Sequence, residues 1–204
     1  MEIRELNIAG AWEITPRQFP DDRGLFLEAY KSSAFMETVG HTLTVRQVNT
    51  SVSKAGTVRG IHYAQVPPSQ AKYVMCTHGA VLDFAIDIRL GSPTFGTYDT
   101  VLLDDIDRRA IYLSEGLGHM FVALAEDSTV TYLCSAEYNP EREHGINPLD
   151  STLAIDFPTH GRDGSPLSLL LSPKDTEAPS LEEMEKAGLL PTFAECKDFI
   201  TGLS

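Results

Sequence analysis

From roughly Val45 to Tyr138, apolar and polar positions alternate in short runs rich in Val, Ile, Thr and Tyr, each closed by Gly, Pro, Asp or Ser. A period of two turns alternate side chains to opposite faces, so these runs predict strands rather than helices. They fall at Val45–Val52, Val58–Tyr63, Lys72–Thr77, Ala80–Arg89, Thr97–Leu103, Ala110–Leu113, His119–Ala125 and Thr129–Tyr138. Turn signals separate them at Lys54-Ala55-Gly56, Pro67-Pro68-Ser69, His78-Gly79, Gly91-Ser92-Pro93 and Glu126-Asp127-Ser128. Many short strands at this spacing, with no helical pattern between them, predict an all-β sandwich or barrel, and a jelly roll fits best.

Helical patterns are confined to the flanks. Ser32–Val39 predicts one short helix closed by Gly40. Ser180-Leu181-Glu182-Glu183 has the form of a capping box, with Ala187-Gly188 as its stop, and Thr192-Phe193-Ala194-Glu195 opens a second helix the same way. Thr159–Ser168 is rich in Gly, Asp and Ser and predicts a surface loop leading into this tail. The expectation is a single domain over residues 1–204, with a helical tail over about 176–204.

Composition narrows the partners. Hydrophobic residues make up 42% and charged residues 22% of the 204, ordinary for a globular protein. A formal net charge of −13 argues against nucleic acid or an anionic membrane surface. An anionic small ligand would need a local cluster of Arg and Lys. The three cysteines, Cys76, Cys134 and Cys196, form no C-x-x-C pair and signal neither a disulfide framework nor a zinc site. With no signal-peptide pattern and no apolar run of membrane-spanning length, the sequence predicts a soluble cytoplasmic protein.

The candidate chemistry starts at Val58-Arg59-Gly60-Ile61-His62-Tyr63. Strict alternation puts His62 on a face with Val58 and Gly60, opposite Arg59 and Ile61. A histidine on such a face is often a satisfied core residue. Gly60 favours a bulge or a close backbone approach, which would turn Arg59 toward the same cavity as His62. A metal-binding barrel of this kind would carry His-x-His and then Glu; here Ala64 stands second after His62 and no Glu follows before Asp83, so no metal is expected. Lys72, Tyr132 and His119 are each unremarkable alone: an edge charge, a core aromatic and a histidine after a flexible turn.

Taken with their neighbours they form a specific set. Val58-Arg59-Gly60-Ile61-His62-Tyr63, Gln70-Ala71-Lys72-Tyr73-Val74, Asp87-Ile88-Arg89 followed by Gly91-Ser92-Pro93-Thr94-Phe95-Gly96, Tyr112-Leu113-Ser114-Glu115-Gly116-Leu117-Gly118-His119, Thr131-Tyr132-Leu133-Cys134-Ser135, Tyr138-Asn139-Pro140 and Ser172-Pro173-Lys174-Asp175 occur in one order. In that order they closely resemble the dTDP-4-dehydrorhamnose 3,5-epimerase family, from about Trp12 to Pro191.

The resemblance implies a cupin jelly roll that works as a homodimer, without metal or cofactor, on a dTDP-4-keto-6-deoxyhexose such as dTDP-4-keto-6-deoxyglucose. By motif, His62 corresponds to the base that takes the proton from C3 and, in many members, from C5. Asp175 is its dyad partner, Tyr132 the acid on the opposite face, and Lys72 and His119 lie near the developing enolate. Arg23, Arg59 and Lys174 correspond to diphosphate and nucleotide contacts. Phe26, Glu28, Gln47 and Asn49 match positions that hold thymidine, Tyr138 one that stacks on thymine, and Glu143 a further ligand position. Glu28 and Glu143 are also readable as surface carboxylates, a lesser alternative. Some contacts cross the dimer, so the N-terminal strands (residues 1–50) are expected to complete a partner's site.

These roles are chemically coherent. A C–H beside a ketone is acidic only because the charge moves to oxygen, which demands a base in reach and a stabilised oxyanion. Inversion additionally needs a proton donor on the other face. Two departures from the family pattern bear on how many carbons react: Met120 follows His119 where glycine is common, and Tyr63 follows His62 where phenylalanine is common. Epimerisation at both C3 and C5 is the main expectation. Single-position epimerisation, a C4-to-C3 ketone shift and a non-catalytic sugar-nucleotide-binding cupin are the alternatives.

Overall fold

Two antiparallel sheets supply the body of the protein, seen in a computed structural model that describes residues 1–203; Ser204, the last residue of the expected tail, lies outside the described residues. Numbered in chain order, the six-stranded sheet runs β1 (Glu2–Glu5), β2 (Ala11–Thr15), β10 (Ala110–Leu113), β7 (Lys72–His78), β12 (Ser128–Cys134) and β5 (Gln47–Ser53). The five-stranded sheet runs β13 (Glu143–Gly145), β6 (Val58–Ala64), β11 (Gly118–Ala123), β8 (Ala80–Ile86) and β9 (Tyr98–Asp104). A separate hairpin pairs β3 (Gln18–Asp21) with β4 (Gly24–Leu27). From β5 to β8 each successive strand enters the opposite sheet, the crossing pattern of the expected jelly roll.

Period-two alternation sorts the side chains into three cores. Val74, Cys76, Val81, Ala85, Ile111, Phe121 and Val130 meet between the sheets. Phe84, Ile86, Met120 and Val122 project from the outer face of the five-stranded sheet, where Ile146, Leu153, Leu181, Met184 and Leu190 cover them. The outer face of the six-stranded sheet buries Tyr73 and Tyr112 under Phe35 and Leu43. Strands β8 and β11 are therefore covered on both sides and read as nearly continuous apolar runs.

The eight expected strands are all present, with shifted ends. β8 stops at Ile86 rather than Arg89 because Asp87 turns the chain, accepting from Arg89 Nε at 2.8 Å and from the Ser92 and Thr94 hydroxyls at 2.6 Å. β12 ends at Cys134 rather than Tyr138, and β5 covers Gln47–Ser53 rather than Val45–Val52. Sequence patterning did not predict β1 to β4, β13 or the four-residue α2 (Pro173–Thr176), all short segments outside the stretch from Val45 to Tyr138. The expected flanking helices form: α1 (Ser32–Val39) closes on Gly40 at φ 96°, and both capping boxes open α3 (Leu181–Lys186) and α4 (Phe193–Thr201). Thr159–Ser168 is a loop, closed by one isolated bridge between His160 and Pro166.

Candidate active site

The site begins with an irregularity in β6. Against β11, His62 pairs with His119 and Arg59 with Phe121, so Gly60 and Ile61 together oppose the single residue Met120. This bulge inverts the alternation. Arg59 and His62 line the same cavity, while Ile61 and Tyr63 join the outer core, so the bulge expected from Gly60 forms and overrides strict alternation, which set Arg59 opposite His62. Gly60 is required here: its φ is 122°, and a Cβ would sit 2.8 Å from the Met120 Cα.

The cavity, about 510 Å³, lies between the sheets and is lined by Arg59, His62, Lys72, His119, Tyr132 and Asp175 among others. A second cavity of about 420 Å³ adjoins it through His62, Lys72, Tyr132 and Lys174, and adds Gln47, Asn49, Tyr138 and Glu143. His62 comes from the five-stranded sheet and Tyr132 from the six-stranded one, so the two enter the cleft from opposing walls.

His62 Nε2 lies 2.8 Å from Asp175 Oδ1. Asp175 sits on α2, at the end of a strap tied to the start of β6 by Val58 N–H to Leu170 C=O and Leu170 N–H to Gly56 C=O. Burial pushes the Asp175 carboxyl up, but hydrogen bonds from His62 and Ser172 outweigh it and leave the group below its ordinary value. An ionised carboxylate only accepts, so Nε2 carries the proton and Nδ1 keeps a free lone pair.

A second acid–histidine pair lies deeper. His119 Nε2 is 2.9 and 3.0 Å from the two oxygens of Asp83, which is fully buried. Burial raises the Asp83 carboxyl, opposed by His119 and Lys72. Burial lowers the Lys72 ammonium, opposed by Cys134, Glu143 and Asp83. The Tyr132 phenol is raised by burial, with Cys134 adding to it and Asn49 offsetting it, so it keeps its proton near neutral pH. The arrangement therefore holds a base, a retained phenolic proton and buried positive charge around one space. Arg59, Lys72 and Lys174 also concentrate positive charge in a chain of net charge −13.

The remaining ligand candidates divide. Gln47 donates to Asn49 Oδ1 at 2.7 Å and accepts the Tyr138 N–H at 2.8 Å, which knits the wall of the outer cavity. Glu143 belongs to that wall and is not a free surface carboxylate: it accepts from Gln70 at 3.3 Å and from the Asn139 N–H at 3.2 Å. Arg23, Phe26 and Glu28 line neither cavity. Arg23 pairs with Asp21, Glu28 with Lys31, and Phe26 is 66% exposed. Sequence reasoning missed Asp83, the partner of His119. A lone carboxylate within Ala80-Val81-Leu82-Asp83-Phe84-Ala85-Ile86 was the available signal, since a buried acid needs a partner. Among the described residues no three His, Cys, Asp or Glu side chains cluster as a metal site would require.

A sequence profile described as dTDP-4-dehydrorhamnose 3,5-epimerase matches residues 5–183. The chain belongs to this family. It is 56% identical to the dTDP-4-dehydrorhamnose 3,5-epimerase of Mycolicibacterium smegmatis, across 100% of this chain and 97% of the relative. A solved epimerase of Mycobacterium tuberculosis superposes with a TM-score of 0.95 at 56% identity, covering 100% of both chains. A 3'-monoepimerase of Streptomyces bikiniensis, solved in complex with dTDP-quinovose, gives 0.91 at 43% identity, covering 97% of both. The cupin jelly roll expected of the family is the fold observed. Neither departure from the family's pattern lines a cavity. Met120 is fully buried in the outer core, and Tyr63 faces the same core with its hydroxyl donating to Leu189 C=O at 3.3 Å. Met120 follows His119 in sequence, but its side chain leaves the sheet on the opposite face.

Proposed function

We propose that the protein inverts C3 and C5 of a dTDP-4-keto-6-deoxyhexose by abstracting each proton beside the C4 ketone and returning one from the opposite face. The observation that carries this reading is the His62–Asp175 pair and Tyr132 entering one cleft from opposing sheets. His62 Nδ1 takes the carbon-bound proton, and the electron pair moves onto O4 to give an enolate. Lys72 and His119 offset the developing negative charge. Tyr132 gives its phenolic proton to the other face, and solvent resets both groups. The substrate gains and loses one proton at each centre, so no oxidant or reductant is consumed.

Arg59 and Lys174 meet the diphosphate, and Gln47, Asn49, Tyr138 and Glu143 receive the nucleoside in the outer cavity. Arg23, Phe26 and Glu28 act in a second copy, because they do not reach the cleft of their own chain. Exposed Val48 (55%) and Val52 (60%) on the edge strand β5 suit such a homodimer. The three free cysteines fit a reducing cytoplasm.

Incubation with dTDP-4-keto-6-deoxyglucose in deuterated water, followed by NMR, tests the reading. Deuterium at both C3 and C5 with a rhamno-configured product is expected. Label confined to one carbon would establish the single-position reading, which the likeness to a monoepimerase favours. No label at either carbon would leave the non-catalytic cupin. A product that is no longer a 4-ketone would point to the ketone shift.

A further inference from the structure

Asp175 is held from both ends. Its Oδ1 accepts from His62 Nε2 at 2.8 Å, and its Oδ2 accepts from the Ser172 hydroxyl at 2.8 Å. The same hydroxyl oxygen, at the N-cap of α2, accepts the Asp175 backbone N–H at 3.2 Å. A serine hydroxyl has one proton and two lone pairs, so it makes both bonds at once. One bond fixes the backbone that carries the acid and the other fixes the plane of its carboxylate. Without the second, the carboxylate turns about a broad, two-fold torsion and its Oδ1 leaves the imidazole.

We infer that Ser172 is a positioning residue for proton abstraction, setting the orientation and tautomer of His62 through Asp175. The inference rests on the epimerase reading of the cleft, where Ser172 itself lines the wall. With the carboxylate turned away, the imidazolium loses a stabilising partner, so the imidazole becomes less basic. The other groups facing it are Arg59 on β6, Lys72 on β7, His119 on β11, Tyr132 on β12, Glu143 and His144 on β13 and Lys174 on α2. All are common to wild type and variant, so a change in pH profile reports on the Ser172 bond.

Three variants separate positioning from helix capping. Ser172→Ala should lower kcat on the order of tenfold, as loss of an outer-shell partner does. Its KM should stay within about twofold, and the acid limb of kcat/KM should move to lower pH. Ser172→Thr keeps the hydroxyl and should behave as wild type. Ser172→Asp still caps α2 but has no proton to donate, so it must fall at least as far as the alanine variant. Wild-type kcat with an unmoved acid limb in Ser172→Ala, or in its place a folded Ser172→Asp at the wild-type rate, overturns the inference. A rise in KM alone makes Ser172 a substrate contact and also overturns it. Imidazole ¹⁵N shifts read the tautomer without turnover: the Nε2–H form should dominate in wild type and lose its dominance in Ser172→Ala. Absence of solvent exchange by the wild type would defeat the epimerase reading instead, while the ¹⁵N result would still decide the role of Ser172.

Discussion

Tyr132→Phe separates the two halves of the proposed reaction. The change removes one oxygen from a half-buried ring on β12 and leaves its packing against the inter-sheet core in place. The stability cost is therefore at most about 1 kcal/mol, that of one ordinary hydrogen bond. Its effect on chemistry is far larger. Burial holds the phenol above its ordinary value, so in wild type the proton is present to be given. A positioned general acid contributes about 10²- to 10⁴-fold, or about 3 to 5 kcal/mol of barrier. The base, its carboxylate at 2.8 Å and the buried Lys72 are untouched. Proton abstraction should continue and the enolate should be reprotonated from the side it left. In deuterated water the variant is expected to wash label into C3 at a rate near wild type while the epimeric product falls by at least about 10²-fold. A calorimetric scan checks that the fold is intact. Inversion within a few-fold of wild type would refute Tyr132 as the donor. Equal loss of exchange and inversion would show that the hydroxyl acts on abstraction itself.

Four further outcomes follow from the same geometry. Asp175→Asn offers His62 an amide that can donate to Nε2, which favours the tautomer with the proton on Nδ1; kcat for exchange should fall by about 10³- to 10⁴-fold with little change in thermal midpoint. Gly60→Ala forces a side chain at φ 122° and a Cβ 2.8 Å from the Met120 Cα, so denaturant titration should show a loss of about 2 kcal/mol or more. Met120→Leu repacks the outer core, not the cleft, and should cost less than about 1.5 kcal/mol while leaving the ratio of C3 to C5 exchange unchanged. Asp83→Asn removes a carboxyl whose proton affinity is raised on folding, chiefly by burial. Such a group favours the folded state below its unfolded pKa and loses that contribution as pH rises through the folded one. Measured by denaturant titration, the variant's stability relative to wild type should therefore rise as pH increases above about 4, while its turnover falls.

The eight strands from Val45 onward were legible because runs rich in Val, Ile, Thr and Tyr are separated by turn residues, and where one face is exposed, as in β5, burial also writes a period of two. β1 was not, since Glu2-Ile3-Arg4-Glu5 sits at a sheet edge and exposes three of its four residues. The strands also lost their period where both faces are covered. In β8 the inward Asp83 was the one position breaking an apolar run, and its pairing with His119 depends on the β8–β11 register, which local sequence does not carry. α2 left no periodic trace in four residues. Its Ser-Pro-Lys-Asp string was recognised by resemblance, and the burial of Asp175 depends on a strap docking more than a hundred residues away in sequence.

The feature the site depends on was legible only through one glycine. Read with a strict period of two, β6 sends Arg59 and His62 to opposite faces, one toward substrate and the other away. The bulge at Gly60 and Ile61 restores both to the cleft and returns Ile61 and Tyr63 to the outer core, so one extra residue satisfies packing and chemistry together. That accommodation works only because position 60 lacks a side chain, where a Cβ would run into the backbone of Met120. The glycine therefore controls the spacing between the Arg59 guanidinium, proposed to meet the diphosphate, and the His62 imidazole, proposed to take the proton. On this reasoning, substitution at Gly60 should weaken nucleotide binding and turnover together, whereas substitution of Arg59 should affect binding first.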